Sequence, residues 1–172
     1  MLSSLFKILL GNLILNRGPQ DFYFSPILMR LSVLAYFFSG LPNLLIRVGF
    51  EYAALAMALD TAVLLLFSYI CLQAFAKSAR FVQTVTALSL VGVVFQLLAF
   101  LLLHDFDVEK DAGQQMASFA MLLLIVFSWY LAVTTHIFRE AFSVRLPAAM
   151  ILTICYFFIS QLLGRLLLPE LA

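Results

Sequence analysis

Apolar residues in this chain gather into five long stretches, at about 27–46, 52–75, 81–103, 116–138 and 145–168, separated by short segments that hold much of the charge. Each stretch is close to the ~20 residues that a helix needs to cross a hydrocarbon core, so the pattern predicts five transmembrane helices. Ahead of them, Leu2, Leu5, Phe6, Leu9, Leu10 and Leu13 recur at helical spacing while Ser3, Lys7, Gly11 and Asn12 fall elsewhere on the wheel. That is the pattern of an amphipathic helix lying in the membrane interface. Gly18-Pro19 ends it, and the interruptions at Lys7, Gly11 and Asn12 argue against a cleaved signal peptide. The expected fold class is all-α, a polytopic membrane helical bundle with five transmembrane helices and an N-terminal amphipathic interfacial helix, organised as an interfacial segment 1–19 and a five-span domain 20–172.

Composition removes the soluble alternative. Of 172 residues, 65% are hydrophobic and 11% charged, and mean hydropathy is +1.09, too apolar for a soluble domain to cover its own surface. The spans leave no room for a separate catalytic unit. A net charge of +1 with scattered basic residues gives no footprint for nucleic acid. Cys71 and Cys155 both fall inside spans, which reads as small buried apolar residues rather than a disulfide or zinc site.

Charge also predicts orientation. With the N-terminus in the cytoplasm, Lys7, Arg17, Arg30, Lys77, Arg80, Arg139 and Arg145 lie inside, against Arg47, Lys110 and Arg165 outside. Positive residues accumulate on the cytoplasmic side, so the C-terminus is expected outside. Lys7, Arg17, Arg30, His136, Arg139 and Arg145 then form a cytoplasmic rim suited to an anionic leaflet. The one dense acidic segment, Asp105 to Asp111, faces the other side as a solvated loop. It lacks the turn glycine of an EF-hand, and Met116 stands at position twelve.

Asp60 is the sharpest chemical signal, because a carboxylate eight residues inside the second span lies ~12 Å below the outer boundary. Such a group is costly unless protonated or paired. Ser39, Gln96, Ser160 and Gln161 fall at nearly the same depth in three other spans, so Asp60 belongs to a candidate intramembrane polar layer. That layer serves either as an interhelical hydrogen-bond network or as a site for a proton, ion or polar substrate. Pro42 in the first span should bend or end its helix. Small residues along the second span, Ala54, Ala58 and Ala62 among them, suggest that it is the central helix. Trp129 and Tyr130 lie too deep for an interfacial belt and read as packing residues. No nucleophile elbow, phosphate loop or His-Glu-x-x-His helix is present, so no catalytic residue, metal or cofactor is expected.

An N-terminal segment leading into five spans, Trp129 in the fourth, the basic link Phe138-Arg139-Glu140-Ala141-Phe142-Ser143 and Ala148-Ala149 opening the fifth together resemble the Yip-domain family of Rab-interacting membrane proteins and their bacterial relatives. The Asp-Leu-Tyr-Gly-Pro element of the eukaryotic members is matched loosely by Asp21-Phe22-Tyr23-Phe24-Ser25-Pro26. The resemblance implies a non-enzymatic protein that organises partners, and the short N-terminal segment suits a bacterial inner-membrane member. The leading expectation is a scaffold, assembly or trafficking role with the bilayer and a membrane protein or second copy as partners. The alternative is a small transporter, channel or lipid-handling protein built on the Asp60 layer.

Overall fold

In the computed structural model, described residues are 2–46, 48–104 and 114–167. The acidic segment, Arg47 and the C-terminal residues 168–172, on which part of the orientation argument rests, lie outside them. Helix α1 (Leu2–Leu13) precedes the five long helices α2 (Pro26–Leu45), α3 (Phe50–Ala74), α4 (Phe81–His104), α5 (Gln114–Phe142) and α6 (Leu146–Leu167), with single 3-10 turns at Pro19–Asp21 and Ser78–Arg80. The protein is an all-α polytopic bundle, and its five long helices have the length and hydropathy of membrane spans. It is an integral membrane protein. Short connections make successive spans antiparallel, so the start of α2, the end of α3, the start of α4, the end of α5 and the start of α6 share one end of the bundle, here called the Arg80 end.

Local chemistry explains where the helices begin and stop. Ser25 caps α2, its Oγ accepting from the Leu28 N–H at 3.2 Å, and Pro26 occupies the first turn, where its missing N–H costs nothing. Pro42 sits in the last turn, and α2 continues past it to Leu45. Helices α1, α3 and α5 end on left-handed residues that are not glycine: Leu15, Ala76 and Ser143, with φ of 60°, 54° and 55°. In each case the following N–H reaches back to close the last turn, as in Asn16 to Gly11 O (2.8 Å), Lys77 to Leu72 O (2.7 Å) and Val144 to Arg139 O (3.2 Å). These are Schellman closures, which satisfy carbonyls that lipid could not.

Three sequence expectations need correction. First, α3 does touch all four of the other long helices, but α4 is the more deeply buried span, with Thr84 to Ser89 buried without interruption. Ala58 and Ala62 of α3 face outward, because alanine is as compatible with lipid as with a neighbouring helix. Second, the fourth span continues to Phe142. The expected link Phe138–Phe142 remains helical since Phe138, Ala141 and Phe142 are buried, and Phe142 stacks on Phe138 (5.2 Å) and Phe75 (5.6 Å). Third, α1 docks through Ile8 and Leu13 together with two residues assigned to its polar face. Gly11 and Asn12 are buried while Phe6, Leu10 and Ile14 point outward. Asn12 tolerates this position because its Nδ2 donates to Ile8 O at 3.0 Å, and a Cβ at Gly11 would come within 2.6–3.1 Å of the Arg17 side chain folded over it. Of the cysteines, Cys71 is half-buried and Cys155 is exposed, so only the first resembles a core residue.

Candidate functional site: an intramembrane polar cavity

Two glycines create the room in which the polar layer assembles. A Cβ at Gly92 on α4 would overlap the ring of Tyr36 on α2, and one at Gly40 on α2 would overlap Met57 and come within 2.9 Å of Gln96 Nε2. Their lack of side chains brings α2 close to α4 and aims Tyr36 at α3. There the Tyr36 hydroxyl donates to Asp60 Oδ2, while Ser160 Oγ from α6 donates to Asp60 Oδ1 at 2.7 Å. One helical turn further along α2, Ser39 Oγ lies 2.5 Å from Gln96 Oε1, and Asn43 Nδ2 donates to Gln96 O at 3.0 Å. The Asn43 Oδ1 atom is buried without a partner among the described residues.

Asp60, Ser39, Gln96 and Ser160 therefore come together, as their common depth suggests. Gln161 stands apart: it is exposed and lines the same cavity, but the hydroxyls on Asp60 belong to Tyr36 and Ser160. Sequence reasoning missed Tyr36, Tyr156 and Asn43, and assigned Tyr130 to packing alone. Tyr130 packs with Phe95 (4.9 Å) and Phe157 (5.4 Å), yet it also lines the cavity. A signal exists, since a tyrosine at mid-span carries a hydroxyl that hydrocarbon cannot satisfy. It is hidden among 18 phenylalanines.

The cavity is partly open, has a volume of about 700 Å³ and is lined from all five spans, including Tyr36, Asp60, Gln96, Tyr130 and Tyr156. Its walls are otherwise apolar and aromatic, with Phe95, Phe127, Phe157 and Met57 prominent, and Gly164 and Arg165 toward the end opposite Arg80. This volume lies within the ~300–1,000 Å³ typical of small-molecule sites. Chemically, it offers a carboxyl group held by two hydroxyls, additional amide acceptors, and ring faces. No group of three His, Cys, Asp or Glu side chains suited to a metal occurs among the described residues.

The candidate rim gathers at the Arg80 end but divides by role. Arg17, Arg30, Arg139 and Arg145 are exposed there, Arg139 lying 3.8 Å from Glu140, and Lys7 is exposed on α1. His136 Nε2 is 3.0 Å from Arg17 O, and Trp129 Nε1 donates to Leu13 O at 3.0 Å, so two α5 side chains clamp the N-terminal segment. Gln83 adds bonds to Gln20 O and Phe22 O, with Phe22 fully buried. The most connected basic residue is Arg80, absent from the expected rim. Its Nη1 donates to Glu140 O, Ala141 O and Ser143 Oγ at 2.9–3.2 Å, closing the end of α5.

These features define a polytopic helical membrane protein with a partly open, mainly apolar cavity that carries a polar cluster. The chain matches no family model, no curated protein and no solved structure.

Proposed function

We propose that this protein is a non-enzymatic membrane binding protein of the transport or lipid-handling kind, holding a small amphiphile in the cavity around Asp60. The observation that carries this reading is the convergence of polar groups from α2, α3, α4 and α6 on one cavity of ligand size. A network serving only to hold helices together needs no such volume, because protein interiors close around their hydrogen bonds. Gly164 lines the cavity, and a Cβ added there would meet nothing within 4 Å, so Gly164→Phe blocks the space without a clash at its root. Native mass spectrometry from mild detergent should show a co-purifying amphiphile on the parent protein and its loss from Gly164→Phe. Identical bare spectra for both would overturn the reading.

One observation favours a second reading, a scaffold, assembly or trafficking partner. Helix α1 is clamped on its inner side and presents Phe6, Leu10 and Ile14 outward beside an exposed basic rim. The Yip-domain resemblance, a bacterial inner-membrane setting and a cytoplasmic N-terminus belong with this proposal. A stoichiometric membrane partner crosslinked to α1 would support it.

A further inference from the structure

Resting on the binding role proposed above, we infer that the cavity recognises a substituted ammonium group, seated on Asp60 within the surrounding aromatic rings. The charge argument comes first. Asp60 accepts two bonds, both from neutral hydroxyls, and no Lys, Arg or His forms an ion pair with it among the described residues. A carboxylate has about four lone-pair sites, so acceptor capacity remains on both oxygens. A carboxyl at this depth is costly to ionise alone, so a bound cation would supply the partner that the protein does not place at hydrogen-bond distance among the described residues.

The walls fit the same ligand. Tyr36, Tyr130, Tyr156, Phe95, Phe127 and Phe157 all line the cavity, and the electron-rich faces of such rings attract ammonium groups. An anionic head would meet the Asp60 carboxyl unfavourably. Arg165 is exposed at the far side of the cavity, five residues beyond Ser160 and hence ~7.5 Å along α6. As a cation on a lining residue it would suit the phosphate of a zwitterionic lipid, whereas a free amphiphilic amine would not use it.

The experiment uses the whole chain in dodecyl maltoside, with emission of Trp129 as the signal. Trp129 is the one tryptophan and packs edge-on against Phe95, a wall residue, with ring centroids 5.0 Å apart. The probes are 2-phenylethylammonium and its neutral counterpart 2-phenylethanol. The ammonium should saturate at a concentration about tenfold lower than the alcohol, a preference that Asp60→Asn removes. Phe157→Leu leaves the Asp60 bonds intact and should weaken the ammonium by about threefold with less effect on the alcohol, so the inference is testable even if Asp60→Asn folds poorly. Lysophosphatidylethanolamine weakened selectively by Arg165→Gln identifies a lipid headgroup as the source. Ammonium binding that is indifferent to Arg165, with no lysolipid response, identifies a free amine. Equal affinity for ammonium and alcohol, both blocked by Gly164→Phe, overturns the charge inference while binding itself stands; no saturable response to any probe, together with bare native spectra, overturns both.

Discussion

Asp60 is tied to two helices at once, so its substitutions separate hydrogen-bonding capacity from charge. Asp60→Asn keeps an acceptor for Tyr36 or Ser160 and should fold normally. Asp60→Leu strands both hydroxyls and should lower the thermal midpoint in detergent, by the equivalent of about 1 kcal/mol if each interhelical bond contributes ~0.6 kcal/mol. Gly92 offers an independent test of the same region. Its added methyl would collide with the Tyr36 ring, and overpacking of this kind costs about 1–3 kcal/mol, so Gly92→Ala should be less heat-stable than Gly49→Ala, where the space is open. Depth along the spans makes Asp60, Ser39, Gln96 and Ser160 legible as one layer in the sequence alone. Depth does not give rotation, however. Gln161 follows Ser160 by roughly 100° on the helix wheel and so leaves Asp60, while Tyr36, at similar depth, is indistinguishable by sequence from the other aromatics of an apolar span.

Among the elements, helix ends are the least readable because their usual marker is missing. Glycine is the common left-handed closing residue, and Leu15, Ala76 and Ser143 take its place. A side chain in that conformation costs about 1–2 kcal/mol, so Ala76→Gly should raise the thermal midpoint. Retention of the parent midpoint would mean that flexibility of the unfolded glycine cancels the relief. The end of α5 relies in addition on Arg80, whose positive charge also suits a helix C-terminus. Arg80→Ala should therefore speed hydrogen exchange near residues 143–145 while leaving mid-span amides protected. The deep burial of α4 escapes the sequence for a related reason: its buried run Thr84-Val85-Thr86-Ala87-Leu88-Ser89 carries no periodicity, whereas the alanine stripe of α3 advertises a close packing that its outward-facing members Ala58 and Ala62 do not make.

For the whole molecule, span number is legible because length and hydropathy constrain a membrane helix strongly, whereas sidedness rests on charge alone. Impermeant labelling should reach Ser3→Cys and Ser78→Cys from the cytoplasmic face and Glu51→Cys from the opposite one, with Cys71 and Cys155 replaced by alanine. Shared access for Ser78→Cys and Glu51→Cys would contradict the antiparallel arrangement of α3. The docking of α1 is a separate matter, since Trp129→Phe removes the donor to Leu13 O and keeps the aromatic contact with Phe95. It should expose the N-terminal segment to protease with the five spans still inserted.

The hydrogen bonds between spans have a further consequence when followed in order. Ser39 and Asn43 join α2 to α4, Tyr36 joins α2 to α3, Ser160 joins α3 to α6, and Thr135 with Thr153, 3.0 Å apart, joins α5 to α6. The result is an unbroken path α4–α2–α3–α6–α5 in which Asp60 supplies the acceptor for both middle steps. Ring contacts such as Phe67 with Tyr156 and Phe138 hold the same helices together but tolerate a range of angles. Greasy contacts thus set how close the helices lie, and the polar path sets how each is turned about its own axis. A bundle deprived of Asp60 would stay assembled and inserted while its helices lost their rotational setting, dispersing the cavity wall without unfolding the protein.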